Sequence, residues 1–266
     1  MNLGLFAYVC NMPRFFVEVA YKGTAYQGFQ VQDNASSVQQ VVDQALSTLF
    51  RTPIATTGSS RTDAGVHALR NFMHFDTDLP MHPQAVYKLN AILPRDIVLN
   101  NLYAVHDEAH SRFDATYREY KYFVYASKNP FLNDRGYFFP YTIDIALMHE
   151  AAAVLKEYTD FESFSKRNSQ VFTYNCRIEK SEWYYDESLQ CWVYNVRANR
   201  FLRGMVRGLV ATMLKVGRGK LSIADFRAII EGKDCTRAWF DSPPQGLFLV
   251  DVGYPEGLLQ AVPQTR

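Results

Sequence analysis

The chain has 266 residues, enough for one large domain or two ordinary ones with real cores, and its 48% hydrophobic and 21% charged content is ordinary for a globular protein. A formal net charge of only +1 excludes any argument for a nucleic-acid partner from bulk charge, so such a partner would need a local basic stripe. No run of eighteen apolar residues occurs, which argues against a membrane span. The four cysteines (Cys10, Cys176, Cys191 and Cys235) lack CxxC spacing, which points to reduced thiols in the cytoplasm.

Met1 to Cys10 is apolar but carries neither a basic n-region nor a small-residue cleavage site, so it does not read as a signal peptide. Met12-Pro13-Arg14 offers a second start, and residues 1–12 read as an extension. Residues 15–21 alternate as a strand ended by Lys22-Gly23, and Ser36-Ser37 opens a helix whose Val38, Val41, Val42, Ala45, Leu46 and Leu49 share a face. A short strand over 53–57 leads into a Gly/Ser-rich loop. Strand resumes over 70–75, a helix spans 83–93, and 97–105 is again strand. Beyond Arg112 the pattern predicts strands over 117–125, 176–185, 191–198 and 247–252. It predicts helices over 145–158, 202–216 and 223–231. This order predicts an α+β fold of two lobes, 13–110 and 111–266, each with mainly antiparallel sheet flanked by helices, and a cleft between them.

Three constellations carry chemistry. In the loop from Gly58 to His67, aspartate and glycine suit a turn for purely local reasons. Arg61, two residues before Asp63, adds a cation that favours an ionised carboxylate, as nucleophilic catalysis requires. His67 reads as a surface histidine, with general base as its chemical alternative, and no ligand spacing for a metal is present. In the strand Arg118 to Tyr122, alternation puts Arg118, Tyr120 and Tyr122 on one face. Tyrosines there usually pack, yet an arginine beside two rings also suits a stacked base and its phosphate. The stretch Arg197 to Lys220 holds seven basic residues and no acidic one, a local field for a polyanion. Arg203 and Arg207 share a helix face, and Arg207 among Met205, Val206, Leu209 and Val210 predicts a part-buried guanidinium that needs an anion.

Together these segments resemble the tRNA pseudouridine synthase A family, over nearly the whole chain from about Arg14. Gly58-Ser59-Ser60-Arg61-Thr62-Asp63-Ala64-Gly65-Val66-His67 is similar to the family's G-x-G-R-T-D-A-G-V-H loop. Tyr21 to Gln30, Asn90 to Ile97, His110 to Tyr122, Asp160 to Phe164, Phe201 to Arg207 and Gly246 to Val250 match its other motifs in order. Lys22, Phe29 and Ser60 depart from it, Ser60 standing where a glycine is usual.

The resemblance implies the pseudouridine synthase fold and isomerisation of uridine in the anticodon stem-loop of tRNA, at positions 38, 39 or 40. It implies a homodimer and no cofactor. It also implies Asp63 as nucleophile, Arg207 as its ion-pair partner, and Tyr120 as the active-site tyrosine, stacking on the base or acting as general base. Arg61, Arg118, Arg200, Arg203 and Arg218 are the expected tRNA-binding residues. Two rivals stand beside this reading. One is a non-catalytic module that binds structured RNA. The other is a serine or aspartate hydrolase, disfavoured by the lack of a G-x-S-x-G elbow.

Overall fold

A computed structural model describes residues 12–167 and 171–264, so all of the predicted extension except Met12 lies outside the described residues. The first part of the chain forms β1 (Arg14–Tyr21), α1 (Val38–Phe50), β2 (Thr57–Gly58), β3 (His67–Asp76), α2 (Ala85–Ile92) and β4 (Ile97–Val105). The remainder forms β5 (Tyr117–Tyr125), β6 (Tyr137–Phe138), α3 (Ile145–Val154), β7 (Ile178–Asp186), β8 (Cys191–Ala198), α4 (Met205–Gly217), α5 (Ile223–Glu231), β9 (Leu247–Gly253) and β10 (Gln260–Ala261).

Local chemistry explains the element ends. The Ser37 hydroxyl caps α1 by accepting from Gln40 N–H at 3.2 Å, and Val38, Val42, Ala45 and Leu46 form its buried face. Ser222 and Asp225 form a reciprocal capping box at the start of α5. The strand expected over 53–57 shrinks to β2, because side chains of α1 take its backbone donors. Ile54 N–H donates to Ser47 Oγ at 2.9 Å and Thr56 N–H to Asp43 Oδ1 at 3.1 Å. The helix predicted over 145–158 ends at Val154 and tightens into a 3₁₀ turn, Leu155–Glu157.

The α+β class holds, but the two lobes share one sheet. Its strand order is β10-β4-β1-β3-β9-β5-β8-β7, with β2 added to β3 and β6 to β5. Along that order every pairing is antiparallel except β3 with β9, which meet in parallel through His67↔Phe248 and Ala68↔Leu249. One core lies under α1 and α2, built on Phe16, Val17, Phe72 and Met73. The other lies under α3, α4 and α5, built on Tyr122, Trp183, Tyr194 and Met213. β9 serves both, since Leu247 is buried in the second core and Leu249 in the first. The chain then returns to the first lobe, where Tyr254, Leu258 and Val262 pack and β10 pairs with β4. A split by chain order at residue 110 therefore assigns this last segment to the wrong core. Its apolar side chains find their partners only after β9 has crossed the joint.

Candidate active site

The loop between β2 and β3 is held almost entirely by neutral hydrogen bonds. Ser59 N–H donates to Phe72 O at 2.7 Å, and the Asn71 amide donates to Ser60 O at 3.1 Å. The Tyr21 and Thr62 hydroxyls share a buried 2.8 Å bond, while Thr62 O accepts from Phe29 N–H at 3.1 Å. That backbone approach requires Gly28, whose φ is +108° and where a Cβ would lie 3.1 Å from Thr62 O. The turn after Asp63 closes through Val66 N–H to Asp63 O at 3.1 Å, with the left-handed conformation carried by Gly65 at φ +78°. Ser60 is buried and is not among the positive-φ residues, so serine at this position carries no backbone strain.

So fixed, the loop points Asp63 at the joint, with its side chain 25% exposed. Arg207, near the start of α4, brings Nη1 to 3.5 Å from Asp63 Oδ2 and is only 14% exposed. Its Nε donates to Ser242 O at 2.8 Å, and Ser242 Oγ donates back to Arg207 O at 2.8 Å, so the guanidinium is locked in place. Lys166 reaches the same carboxylate oxygen at 4.0 Å. Tyr120 lies on β5, where the register with β9 shifts between Glu119 and Tyr120, a bulge of the kind that re-aims side chains. Its ring meets Phe201 edge-on at 5.1 Å. Burial pushes the Tyr120 phenol up to about 12, with Arg118 opposing and the Asp63 charge adding. A phenol so raised rests protonated at neutral pH, which favours stacking over the general-base role.

The predicted phosphate contacts divide. Arg118 is buried, and its guanidinium donates to Ala115 O and Asn199 O at 3.0 Å and to Arg112 O at 2.6 Å, with Ser59 O at 3.5 Å. It is a brace for the loop and the flanking segments, and a phosphate has no open approach to it. Arg61 is exposed and lines a cavity of about 260 Å³ with Phe29, Gln39, Thr57, Arg112 and Phe113. Desolvation, then the charges of Arg61 and Arg200, lower the Arg112 pKa, so both guanidiniums lie close enough to Arg112 to repel it. Arg203 is exposed at the α4 start, and its carbonyl accepts from Lys166 N–H at 3.0 Å. Arg218 caps the opposite end of α4 and stacks its guanidinium 4.0 Å from the Tyr141 ring centroid. The basic stretch is thus not one stripe. Arg197 binds Glu119, and Lys215 approaches Asp241 at 3.6 Å, because strand and helix geometry send neighbouring residues to different sides.

His67 is buried rather than at the surface. Its Nδ1 accepts from Gly23 N–H at 3.0 Å, its Nε2 lies 3.0 Å from Asp134 O, and its ring stacks on Phe248 at 4.5 Å. Both nitrogens are engaged and burial lowers its pKa, so it ties segments together and is no base. Sequence reasoning passed over Lys166 and Arg112. The second sits inside the His110-Ser111-Arg112-Phe113 motif and was legible there. Lys166 follows the Asp160 to Phe164 motif by two residues, with nothing in its spacing to point at Asp63. Among the described residues no three His, Cys, Asp or Glu side chains group as metal ligands, and no helix is long and apolar enough to cross a membrane.

Comparison with known proteins bears on this arrangement. The family model described as tRNA pseudouridine synthase matches residues 18–114 and 152–255. The chain is 46% identical over 249 residues to tRNA pseudouridine synthase A of Parabacteroides distasonis, covering 93% of this chain and 98% of that protein. It is likewise 46% identical over 250 residues to the protein of that name in Porphyromonas gingivalis, covering 93% and 99%. Against the Staphylococcus aureus protein of that name it is 35% identical over 255 residues, covering 92% of each.

Proposed function

The chain belongs to the tRNA pseudouridine synthase family, and on that premise we propose that it isomerises uridine to pseudouridine in the anticodon stem-loop of tRNA, at positions 38, 39 or 40, with Asp63 as nucleophile. The observation that carries the mechanism is the Asp63 carboxylate at the lobe joint, 3.5 Å from a locked Arg207 and 4.0 Å from Lys166, with its side chain 25% exposed. The choice of the anticodon arm rests on the resemblance of the motifs to the A family.

The reaction breaks the N1–C1′ bond, turns the uracil and joins C5 to C1′. It conserves atoms and electrons, so its stoichiometry calls for no cofactor. The target nucleotide must leave its stack to present C1′ to Asp63. Arg207 orients the carboxylate and offsets its charge, and the Tyr120 ring supplies a face on which the base can stack while it turns. With the phenol protonated, the nearest base for the C5 proton is the Asp63 carboxylate, regenerated as the C5–C1′ bond forms. Arg61, Arg112 and Arg200, unpaired with carboxylates among the described residues, form the phosphate-binding patch. Arg118 positions the loop from beneath. A cytoplasmic homodimer spanning one tRNA completes the proposal.

A pseudouridine-specific chemical stop assay on tRNA incubated with the protein tests this directly. New stops at 38, 39 or 40 are expected. Stops elsewhere would overturn the choice of arm, and no stops at all would leave a non-catalytic RNA-binding module.

A further inference from the structure

Lys166 stands beside the nucleophile but outside every motif that the resemblance supplies. Its placement is built rather than incidental. The 3₁₀ turn Glu162–Phe164 closes through Ser165 N–H to Glu162 O at 3.0 Å, and Phe164 anchors it in the second core. The next residue, Lys166, donates its own N–H to Arg203 O at 3.0 Å, which ties the segment to the start of α4. Its aliphatic stem then lies across Gly204. A Cβ at that glycine would stand 2.9 to 3.2 Å from Lys166 Cγ, Cδ and Cε, and the backbone there has φ +75°. The positive φ favours glycine, and the absence of a Cβ leaves the lysine stem this path, which leads the ammonium to 4.0 Å from Asp63 Oδ2.

Arg207 and Lys166 address the same carboxylate oxygen and differ in commitment. Arg207 is held by Ser242 and has a fixed geometry. The Lys166 ammonium makes no hydrogen bond among the described residues, so its donors are free for a substrate. Breaking N1–C1′ sends the bonding pair onto the uracil, where it spreads over N1, O2 and O4. At the same moment Asp63 loses its negative charge, either into a bond with C1′ or by taking the C2′ proton. Negative charge thus migrates a few ångströms from carboxylate to base. A cation that is close to the first and free to turn towards the second stabilises both ends of that shift.

We propose that Lys166 is a catalytic residue that donates a hydrogen bond to O2 of the departing uracil anion and holds the base while it turns. The inference rests on the synthase reading above. Lysine stays protonated throughout, so no proton or electron beyond those of the isomerisation is required. A phosphate is the less favoured partner. Arg61, Arg112 and Arg200 already offer guanidiniums unpaired with carboxylates among the described residues for the backbone, whereas the carboxylate within 4.0 Å of Lys166 is the nucleophile itself.

The test compares Lys166→Met, which keeps the stem over Gly204, with Lys166→Arg, which keeps the charge. Single-turnover tritium release from C5-labelled tRNA at saturating enzyme is measured alongside tRNA Kd as a function of salt. The Met variant should react about 100-fold more slowly with Kd and salt slope unchanged, and the Arg variant should recover about tenfold of that loss. A full rate with weaker binding and a salt slope reduced by about one would make Lys166 a phosphate contact and overturn the proposal. An Arg variant as slow as Met, or a Met variant indistinguishable from the parent, would also overturn it. Asp63→Asn in the same assay separates the two levels. If it turns over normally, the synthase mechanism fails. If it is inert while Lys166→Met runs at full speed, only the role of Lys166 fails.

Discussion

Among the described residues two carboxylate–guanidinium contacts join the lobes, and they are built in opposite ways. Asp251, on β9, is held on both oxygens. Its Oδ1 accepts from Arg70 Nη1 at 2.9 Å and from Val252 N–H at 3.0 Å, and its Oδ2 accepts from the Tyr117 hydroxyl at 2.6 Å. Arg70 continues the chain to buried Glu18 at 3.3 Å, which also accepts from the Tyr103 hydroxyl at 2.7 Å. Among the described residues the Asp63 carboxylate has only the 3.5 Å contact with Arg207 and the 4.0 Å approach of Lys166. A carboxylate held by three hydrogen bonds, at least one on each oxygen, is a clamp between strands. One that is oriented but left open can attack carbon. Charge pairing across the joint therefore does not by itself separate a clamp from the carboxylate proposed as nucleophile.

The sharpest way to break that contrast is Asp63→Asn, which should lower single-turnover tritium release by at least about 10⁴-fold with tRNA binding retained. Turnover near normal would make the open carboxylate an accident of packing. Arg207→Met should cost about 10² to 10³-fold in the same rate, because the nucleophile loses its orienting charge while Ser242 loses only a carbonyl partner. If the loss appears in Kd instead, Arg207 belongs to substrate binding.

The engaged side of the molecule should answer in stability. Burial, then Arg14 and His110, lower His74 from its ordinary 6.5 to about 4, and its Nδ1 accepts from Ser111 N–H at 3.2 Å. The unfolded chain thus binds the proton first. The stability from neutral His74 is full above pH 6.5 and drains away as pH falls from 6.5 towards 4, by about 2–3 kcal/mol. Urea denaturation across that window checks this, and His74→Gln should flatten the slope. Asp251→Asn should destabilise by about 1–3 kcal/mol, half-exposure of Arg70 limiting the effect, while the rate per folded molecule stays unchanged. A rate loss there would blur the distinction between clamp and nucleophile. The smallest effect is expected at Arg112→Gln, which should reduce the salt slope of tRNA affinity by about one without altering the saturated rate. A slope equal to the parent's would remove Arg112 from the phosphate patch.

Much of this was legible along the chain. The strands 97–105, 117–125 and 191–198 and the helix 223–231 agree with the structure to the residue, because strict alternation, capping and clean apolar faces leave little choice of period. The Arg61-Thr62-Asp63 loop was legible as a turn from its residues, and its candidacy as a site came from the resemblance of residues 58–67 to the family's loop. Other readings failed for a common reason. His67 looked like a surface residue, yet its two nitrogens meet backbone from residues 23 and 134. Arg118 looked like a phosphate contact, yet the carbonyls of residues 112, 115 and 199 enclose it.

By itself the sequence determined the periodicities, the helix start at Ser36-Ser37, the Gly/Ser-rich turn before β3 and the presence of one acid flanked by basic motifs. Those are properties of neighbours within a few residues, where backbone sterics and local hydrogen bonding decide the outcome. Only the tertiary structure decided that β9 joins both cores, that Lys166 crosses Gly204 to reach Asp63, and which arginines remain free. Those outcomes depend on contacts between residues 38 to 181 positions apart, and linear spacing carries no information about what a folded sheet brings within 4 Å.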